Sequence, residues 1–276
     1  MSQQPRWRPG RPSEVSVLIF AREAGMIVVW LVMLGVFSIW ASPTFGTFNN
    51  LMLILGAASI TGIFAGGAAF GLLTGLLDLS LPGTAALAGV ITGKLLVGGA
   101  PVWVAVLVGL AVGAAVGMIN GFLSLHGLNQ LVVTIGTFSA ASGLAAIISG
   151  GNPVGGYSRL AAIGTQTYAK IPGPALVMGA VFILGTLFIG QTRAGTRMRA
   201  VGGNREAVRR AGVSTDRYMM LAFVLVGICA ALGGIVIGAF TVSATPVPDL
   251  TILFDALTAI ALSGMPLTGA AGASPG

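Results

Sequence analysis

The chain is poor in charged residues, cysteine and histidine, and these shortages exclude most kinds of soluble enzyme. Only 8% of its 276 residues are charged, against about a quarter in soluble domains. The single cysteine, Cys229, excludes an internal disulfide, and the single histidine, His126, has no carboxylate or thiol near it in sequence. No zinc-protease, paired-acid, serine-nucleophile or phosphate-loop motif is present. We therefore predict no catalytic residue and no metal site.

Apolar residues and glycine are abundant. Hydrophobic residues make up 55% of the chain, and 43 residues are glycine. In so apolar a sequence, glycine favours closely packed transmembrane helices, and the pairs Gly62/Gly66 and Gly67/Gly71 have the spacing that permits such packing. The composition predicts an all-α, polytopic transmembrane helical bundle with about eight spans.

The apolar stretches give the predicted spans: 26–41, 51–73, 79–98, 102–123, 131–149, 175–190, 218–242 and a last run from about 250. Residues 1–24 are predicted to form a polar arm and 25–276 the membrane domain. The third stretch contains Pro82 and Lys94, so it is short for the roughly 20 apolar residues that a crossing needs. It either crosses as a short helix or is broken or re-entrant.

Basic residues are concentrated in two segments. Eleven of the 14 lysines and arginines are Arg6, Arg8, Arg11 and Arg22 in the arm, and Arg193, Arg197, Arg199, Arg205, Arg209, Arg210 and Arg217 in the loop 193–217. Cytoplasmic segments of membrane proteins are enriched in this way, so the net charge of +7 indicates membrane topology and not nucleic-acid binding. Both segments are predicted to be cytoplasmic, which the six intervening spans allow, with 150–173 on the other side.

The loop 193–217 carries the most distinctive local pattern. Gly202-Gly203-Asn204 predicts a turn, 206–211 a short helix, and Gly212 its end, while Ser214 or Asp216 offers a cap for the next span. Such a short helix is marginal in water by itself. The segment is therefore either a solvated basic loop or a helix that docks on a partner.

The run from 203 to 234, GNREAVRRAGVSTDRYMMLAFVLVGICAALGG, resembles the cytoplasmic coupling segment of permeases from the ribose/xylose/galactoside class of ABC importers. The resemblance implies that the short helix sits in a groove of a separate ATPase subunit, which binds ATP and magnesium, while this chain binds no cofactor. The coupling residues it implies are Gly203, Asn204, Arg205, Glu206, Ala207, Arg209, Arg210, Ala211 and Gly212.

Polar side chains within apolar sequence are the candidates for a substrate path or gate, because uncompensated polar groups are costly there. The segment GLLDLSLPG resembles the family's Gly-Gly-x-Asp-Leu-Ser-x-Gly, with Leu76 and Leu77 in place of the paired glycines. Asp78 and Ser80 either line the path or cap the helix that begins near Pro82. Asn120, before Gly121, matches the family's Asn-Gly.

The segment 129–145, NQLVVTIGTFSAASGLA, resembles another family motif through Thr134, Gly136, Thr137 and Gly143. It departs from that motif at Gln130, where proline is usual, and at Ser142, where arginine is frequent. The threonine hydroxyls either bond back to carbonyl groups of their own helix or line a polar path for a sugar. The candidate path or gate residues are Asp78, Ser80, Asn120, Gln130, Thr134 and Thr137.

The resemblance implies a multi-pass permease of the bacterial inner membrane with a cytoplasmic N-terminus, importing a monosaccharide or a similar small polar ligand. Its partners would be the ATPase, a periplasmic sugar-binding protein, a second permease subunit, identical or different, and the lipid bilayer. The alternatives are a branched-chain amino-acid ABC permease, a secondary transporter using acids such as Asp78 and Asp255, or an intramembrane enzyme. The last residues, SGMPLTGAAGASPG, resemble a degenerate family motif after which members usually have two more hydrophobic segments, so we expect a shortened C-terminus.

Overall fold

The computed structural model describes the backbone of residues 12–263 and the side chains of residues 27–263. Its helices are α1 (Pro12–Trp40), α2 (Phe48–Leu73), α3 (Leu81–Val97), α4 (Val102–Leu125), α5 (Gln130–Ser149), α6 (Ala161–Gly164), α7 (Gly173–Gln191), α8 (Arg193–Gly203), α9 (Arg205–Arg210), α10 (Thr215–Thr241) and α11 (Thr251–Leu262). A 3₁₀ turn (Tyr157–Leu160) and a hairpin of β1 (Thr167–Tyr168) and β2 (Ile171–Pro172) lie between α5 and α7. The predicted all-α class is confirmed.

Five of the described helices, α2, α4, α5, α7 and α10, are long and apolar enough to cross a membrane. The predicted third span is α3, which has 17 residues and a length of roughly 25 Å, so it is short, as expected. The first helix begins at Pro12, so residues 12–24, predicted as part of a polar arm, are helical. The rest of that arm and the motif at the end of the chain lie outside the described residues.

The chain divides into two units at residue 51. The first unit contains α1, the turn that follows it, and the start of α2. The side-chain amide of Asn50, at the start of α2, donates to the carbonyl oxygen of Phe45 in that turn at 3.0 Å. The hydroxyl of Thr47 donates to the carbonyl oxygen of Thr44 at 2.8 Å. The second unit, 52–276, contains the helical bundle described below.

Helix α10 lies at the centre of the second unit and packs mainly against α3 and α4. Glycine makes these contacts possible. A Cβ atom at Gly113 of α4 would overlap the carbonyl oxygen of Gly227 in α10, and one at Gly227 would overlap that of Gly113. Likewise, a Cβ at Gly234 would overlap the carbonyl oxygen of Ala85 in α3. The backbones therefore touch, as glycine-rich membrane helices do.

The segment 150–173, expected only as a Gly/Pro-rich external stretch, folds onto this bundle. Tyr157 is fully buried, and its hydroxyl donates to the carbonyl oxygen of Gly89 in α3 at 2.6 Å. Val154 and Ala244 exchange two backbone hydrogen bonds of 2.8 and 2.9 Å. Arg159 donates to the carbonyl oxygen of Ala100, just beyond α3, at 2.9 Å. These contacts hold the segment to α3 and to the residues that follow α10.

Candidate functional site

The connection between α2 and α3, residues 74–80, is a buried turn inside the bundle. Thr74 ends α2 by donating its backbone N–H and its hydroxyl to the carbonyl oxygen of Gly71, both at 2.9 Å. Gly75 has φ +76°, a conformation that favours glycine. The chain then turns back, and the backbone N–H of Leu76 also donates to Gly71, at 2.9 Å. This turn carries Asp78 and Ser80, which are both buried.

Asp78 accepts hydrogen bonds from the start of α3 through one carboxylate oxygen. Its Oδ1 accepts from the backbone N–H of Ser80 at 2.8 Å and from the Ser80 hydroxyl at 2.6 Å. Ser80 occupies the N-cap position of α3, but its side chain accepts no bond from the helix backbone. Asp78 therefore orders the residue that caps the helix and does not itself cap the first turn. The predicted role of Asp78 in capping α3 is thus indirect, through Ser80.

Asn120 joins this turn to two further helices. It is fully buried in α4, and its side-chain amide donates to the hydroxyl oxygen of Ser80 at 2.8 Å and to Oδ2 of Asp78 at 3.3 Å. Its Oδ1 accepts from the hydroxyl of Thr137 in α5 at 2.6 Å. Asp78, Ser80, Asn120 and Thr137 thus form one hydrogen-bonded chain, called the polar cluster below, that connects the turn, α4 and α5.

The two remaining path candidates lie beside the cluster. The side-chain amide of Gln130, at the start of α5, donates to the carbonyl oxygen of Leu77 at 2.6 Å. Thr134 is fully buried, and its hydroxyl donates to the carbonyl oxygen of Leu131 at 3.3 Å. For Thr134 the structure therefore shows the hydroxyl bonded back to a carbonyl group of its own helix. Thr137 also bonds back to its own helix, to the carbonyl oxygen of Val133 at 3.1 Å, in addition to its bond to Asn120. That it lines a sugar path stays a prediction.

The six candidates thus lie in one region, although they are up to 59 positions apart in sequence. Within the polar cluster, each hydroxyl or amide group bonds to a neighbouring member, and the glycines beside Asn120 pack against α10. Buried polar groups that satisfy one another rigidify a single arrangement of their helices. This geometry suits a structural latch between the 74–80 turn, α4 and α5.

The segment 193–217, predicted as a loop with one short helix, contains two helices before α10 begins. The prediction of a turn at Gly202-Gly203 is wrong, because both glycines belong to α8, which ends at Gly203. The turn is at Asn204, whose side-chain oxygen accepts from the backbone N–H of Ala207 at 2.9 Å and caps α9. Gly212 follows α9 with φ +76°, as a helix stop requires.

One face of α8 is packed tightly against the ends of other helices. Met198 and Val201 are buried. A Cβ at Gly195 would overlap the carbonyl oxygen of Phe188 near the end of α7, and one at Gly202 would overlap that of Leu73 at the end of α2. Burial at 195, 198, 201 and 202 is the spacing of one helical face. The loop prediction missed this face because seven arginines dominate the segment.

Helix α9, in contrast, has no buried residue. All nine of the predicted coupling residues are exposed, while Val208 is half-buried and packs on the core. Glu206 forms ion pairs of 2.8 Å with Arg209 and 3.0 Å with Arg210. Because these pairs are exposed, they add little stability. Arg209 and Arg210 can therefore leave Glu206 and pair with acidic groups on a partner at little cost in free energy.

The polar outer surface of α8 is oriented by one contact with α10. Arg197 donates to the hydroxyl of Tyr218 at 2.7 Å, and its guanidinium lies 5.8 Å from the centre of the tyrosine ring. The exposed residues of α8 and α9, with their arginines, form what we call the basic surface. Every residue of α9 except Val208 is exposed on this surface.

Comparison with known proteins supports the kinship suggested by the motifs. Residues 50–275 match the family described as branched-chain amino acid transport system / permease component. The chain is 34% identical over 250 residues to the L-arabinose transport system permease protein AraH of Escherichia coli (strain K12), covering 90% of this chain and 76% of that protein.

Two further relatives come from the same organism. The ribose import permease protein RbsC is 31% identical over 256 residues, and the match covers 91% of this chain and 79% of RbsC. The D-allose transport system permease protein AlsC is 27% identical over 257 residues, covering 92% and 79%. No solved structure matches the chain.

Proposed function

Because the chain belongs to the permease family that its residues 50–275 match, we propose that it is the membrane-spanning permease subunit of an ABC importer for a monosaccharide. The relatives named for L-arabinose, ribose and D-allose all match about nine-tenths of the chain. An aldose or a closely similar polyol is therefore the substrate class. The chain is a transporter subunit, and a separate subunit hydrolyses ATP.

The observation that carries the proposal is the contrast between α8 and α9. Helix α8 is fixed by Gly195 and Gly202 to the ends of α7 and α2, whereas α9 has no buried residue and touches the core only through the half-buried Val208. An exposed six-residue helix contributes little to the stability of its own chain. Its capped, ordered geometry suits a surface that docks in a groove of the ATPase and passes motion to the bundle through α8.

The polar cluster is assigned a structural role in this mechanism. Its hydroxyl and amide groups are engaged with one another, so they are poorly placed to exchange partners with a passing sugar. Two members of the cluster, Asp78 and Ser80, lie in the turn that follows α2, and the end of α2 supports α8 through Leu73 and Gly202. We assign it the task of keeping the 74–80 turn, α4 and α5 together while the bundle changes conformation.

The proposal is tested by uptake in cells that lack their own pentose and allose importers. The chain is co-expressed with an ABC ATPase and a sugar-binding protein from the same organism, and uptake of labelled L-arabinose, D-ribose and D-allose is measured. We expect uptake of at least one sugar, lost when the ATPase carries an inactivating substitution in its phosphate loop. Uptake that persists with the inactive ATPase and stops with a protonophore would instead indicate a secondary transporter.

The family description favours one second candidate, a branched-chain amino-acid permease. The same cells are therefore also given labelled leucine, isoleucine and valine. Uptake of these amino acids without uptake of any sugar would replace the sugar proposal with this alternative.

The proposed orientation places the basic surface in the cytoplasm and 150–173 outside. Ser158 and Ala211 are both exposed, and the native Cys229 is buried. In intact cells a membrane-impermeant thiol reagent should label Ser158→Cys but not Ala211→Cys. After the membrane is permeabilised, both should react. The reverse pattern in intact cells would invert the topology.

A further inference from the structure

A cavity of about 160 Å³ lies between α3, α10 and the residues that connect α10 to α11. Its walls are apolar and come from Ala86 and Gly89 of α3, Ile237 of α10 and Ile252 of α11. Pockets for drug-sized ligands hold roughly 300–1,000 Å³, so this cavity suits one small molecule.

Two polar side chains, Thr245 and Asp249, line the exposed end of the cavity. Asp249 uses Oδ1 to accept from the backbone N–H of Thr251 at 2.9 Å and from its hydroxyl at 2.7 Å. Among the described residues, no hydrogen bond to its Oδ2 is found. The Thr245 hydroxyl oxygen accepts from the backbone N–H of Val247 at 3.3 Å, which leaves its proton free to donate.

A free carboxylate acceptor and a free hydroxyl donor at one end of an apolar cavity match a particular chemistry. A sugar hydroxyl both donates and accepts, so it can satisfy Asp249 and Thr245 at once, while the C–H surfaces of the ring contact Ile237 and Ile252. A zwitterionic amino acid fits less well, because no lysine or arginine is among the described residues that line the cavity to pair with its carboxylate.

The position of the cavity fits a point of entry. Ala244, which lines it, pairs with Val154, and Gly89, which also lines it, accepts the hydrogen bond from Tyr157. Both partners belong to the segment 150–173, which the proposed orientation places outside. The cavity therefore adjoins the segment that lies on the side at which a binding protein would release its ligand.

We propose that this cavity is a subsite for one monosaccharide, in which Asp249 and Thr245 bind sugar hydroxyl groups. The proposal rests on the proposed function for its substrate class, and it adds a location and two specificity-determining residues. It concerns a site separate from the polar cluster, since none of Asp78, Ser80, Asn120 or Thr137 lines the cavity.

The test is protection of a cavity cysteine by sugar in the purified, reconstituted chain. Ala86 is half-buried and lines the cavity, so Ala86→Cys introduces a small change there, and Cys229 is buried. A water-soluble thiol reagent should modify position 86. L-Arabinose, D-ribose or D-allose at millimolar concentration should slow this reaction, whereas sucrose, which is too large for the cavity, should not. Ser158→Cys, exposed and outside the cavity, should react equally with and without sugar.

A second substitution assigns the protection to Asp249. Asp249→Asn retains an oxygen for the bonds from Thr251 but loses the charge and the second carboxylate oxygen, so half-protection of position 86 should need about tenfold more sugar. Asp255 is an exposed acid in α11 that does not line the cavity, so Asp255→Asn should leave protection unchanged. If Ala86→Cys fails to fold, Ile237→Cys replaces it.

Three results would overturn the subsite: an unreactive cysteine at both positions, no protection by any of the three sugars, or protection that Asp249→Asn leaves intact. The uptake experiment separates this failure from that of the proposed function. Sugar uptake without protection would remove the subsite and leave the importer, whereas absence of all sugar uptake would remove the importer.

Discussion

The polar cluster and helix α9 use similar residue types for opposite purposes. In the cluster, Asn120 is fully buried and its amide links two side chains of the 74–80 turn with α5. In α9, Asn204 is exposed and its side chain caps the helix locally, at 2.9 Å from the N–H of Ala207. The first asparagine holds distant parts of the chain together. The second shapes a short element whose residues face outward.

This difference separates stability from coupling within one chain. Polar groups that are buried must be satisfied by the protein itself, so removing one leaves its partners without hydrogen bonds. Polar groups on α9 are solvated or paired weakly, so they can be changed without unfolding anything. The comparison predicts that substitutions in the two regions affect different measurements.

The largest effect is expected for Asn120→Ala. The substitution removes the hydrogen bonds to Asp78, Ser80 and Thr137, and should lower the free energy of unfolding by about 2–4 kcal/mol, since the buried partners lose their donor or acceptor. Thermal unfolding of the purified protein in detergent measures it. The matched control is Asn204→Ala, which loses a cap worth about 1 kcal/mol and frays only α9. Equal stability losses in the two variants would contradict the comparison.

An intermediate effect is expected for Asp78→Asn. The new side-chain oxygen can still accept from the N–H and hydroxyl of Ser80, but its amide would face the donating amide of Asn120. We expect normal membrane insertion and a loss of about 1–2 kcal/mol from this donor–donor contact. The double variant Asp78→Asn, Asn120→Asp restores a donor–acceptor pair and should recover part of the loss. Failure of the double variant to recover any stability would argue against the latch.

The smallest effect on stability is expected for Ala207→Glu in α9. Ala207 is exposed, so the free energy of unfolding should change by no more than about 0.5 kcal/mol. The bulky acid should nevertheless abolish co-purification with the ATPase or uncouple ATP hydrolysis from uptake. Glu206→Gln, which removes only the exposed ion pairs, serves as a milder change at the preceding position. A large loss of stability in Ala207→Glu would mean that α9 packs within its own bundle.

Much of this arrangement was predictable from the sequence because burial of polar residues is costly in a membrane. Asp78, Ser80 and Asn120 stood out as polar side chains in apolar surroundings, and the helix of 206–211 followed from its composition and from the stop at Gly212. Their pairing was not predictable, since Asp78 and Asn120 are 42 positions apart and nothing local brings them together. The packing of α3 against α4 brings the two residues together.

Two other features were missed for local reasons. Helix α8 was obscured by its arginines, although Met198 and Val201 already had helical spacing. The role of Tyr157 was hidden in a Gly/Pro-rich segment that resembled a solvated connection. A large aromatic residue within such a segment is the signal that could have indicated a buried anchor, and the fully buried ring bonded to Gly89 is what the structure shows.

The glycine contacts of α8 have a mechanical consequence. At Gly195 and Gly202 the helix rests directly on the backbones of α7 and α2, with no side chain between that could change rotamer and absorb a displacement. Close-packed contacts of this kind transmit strain. A force applied to α9 therefore acts on a stiff helix whose two supports, at Gly195 and Gly202, are about 10 Å apart. The backbone under Gly202, at Leu73, leads directly into the turn that bears Asp78.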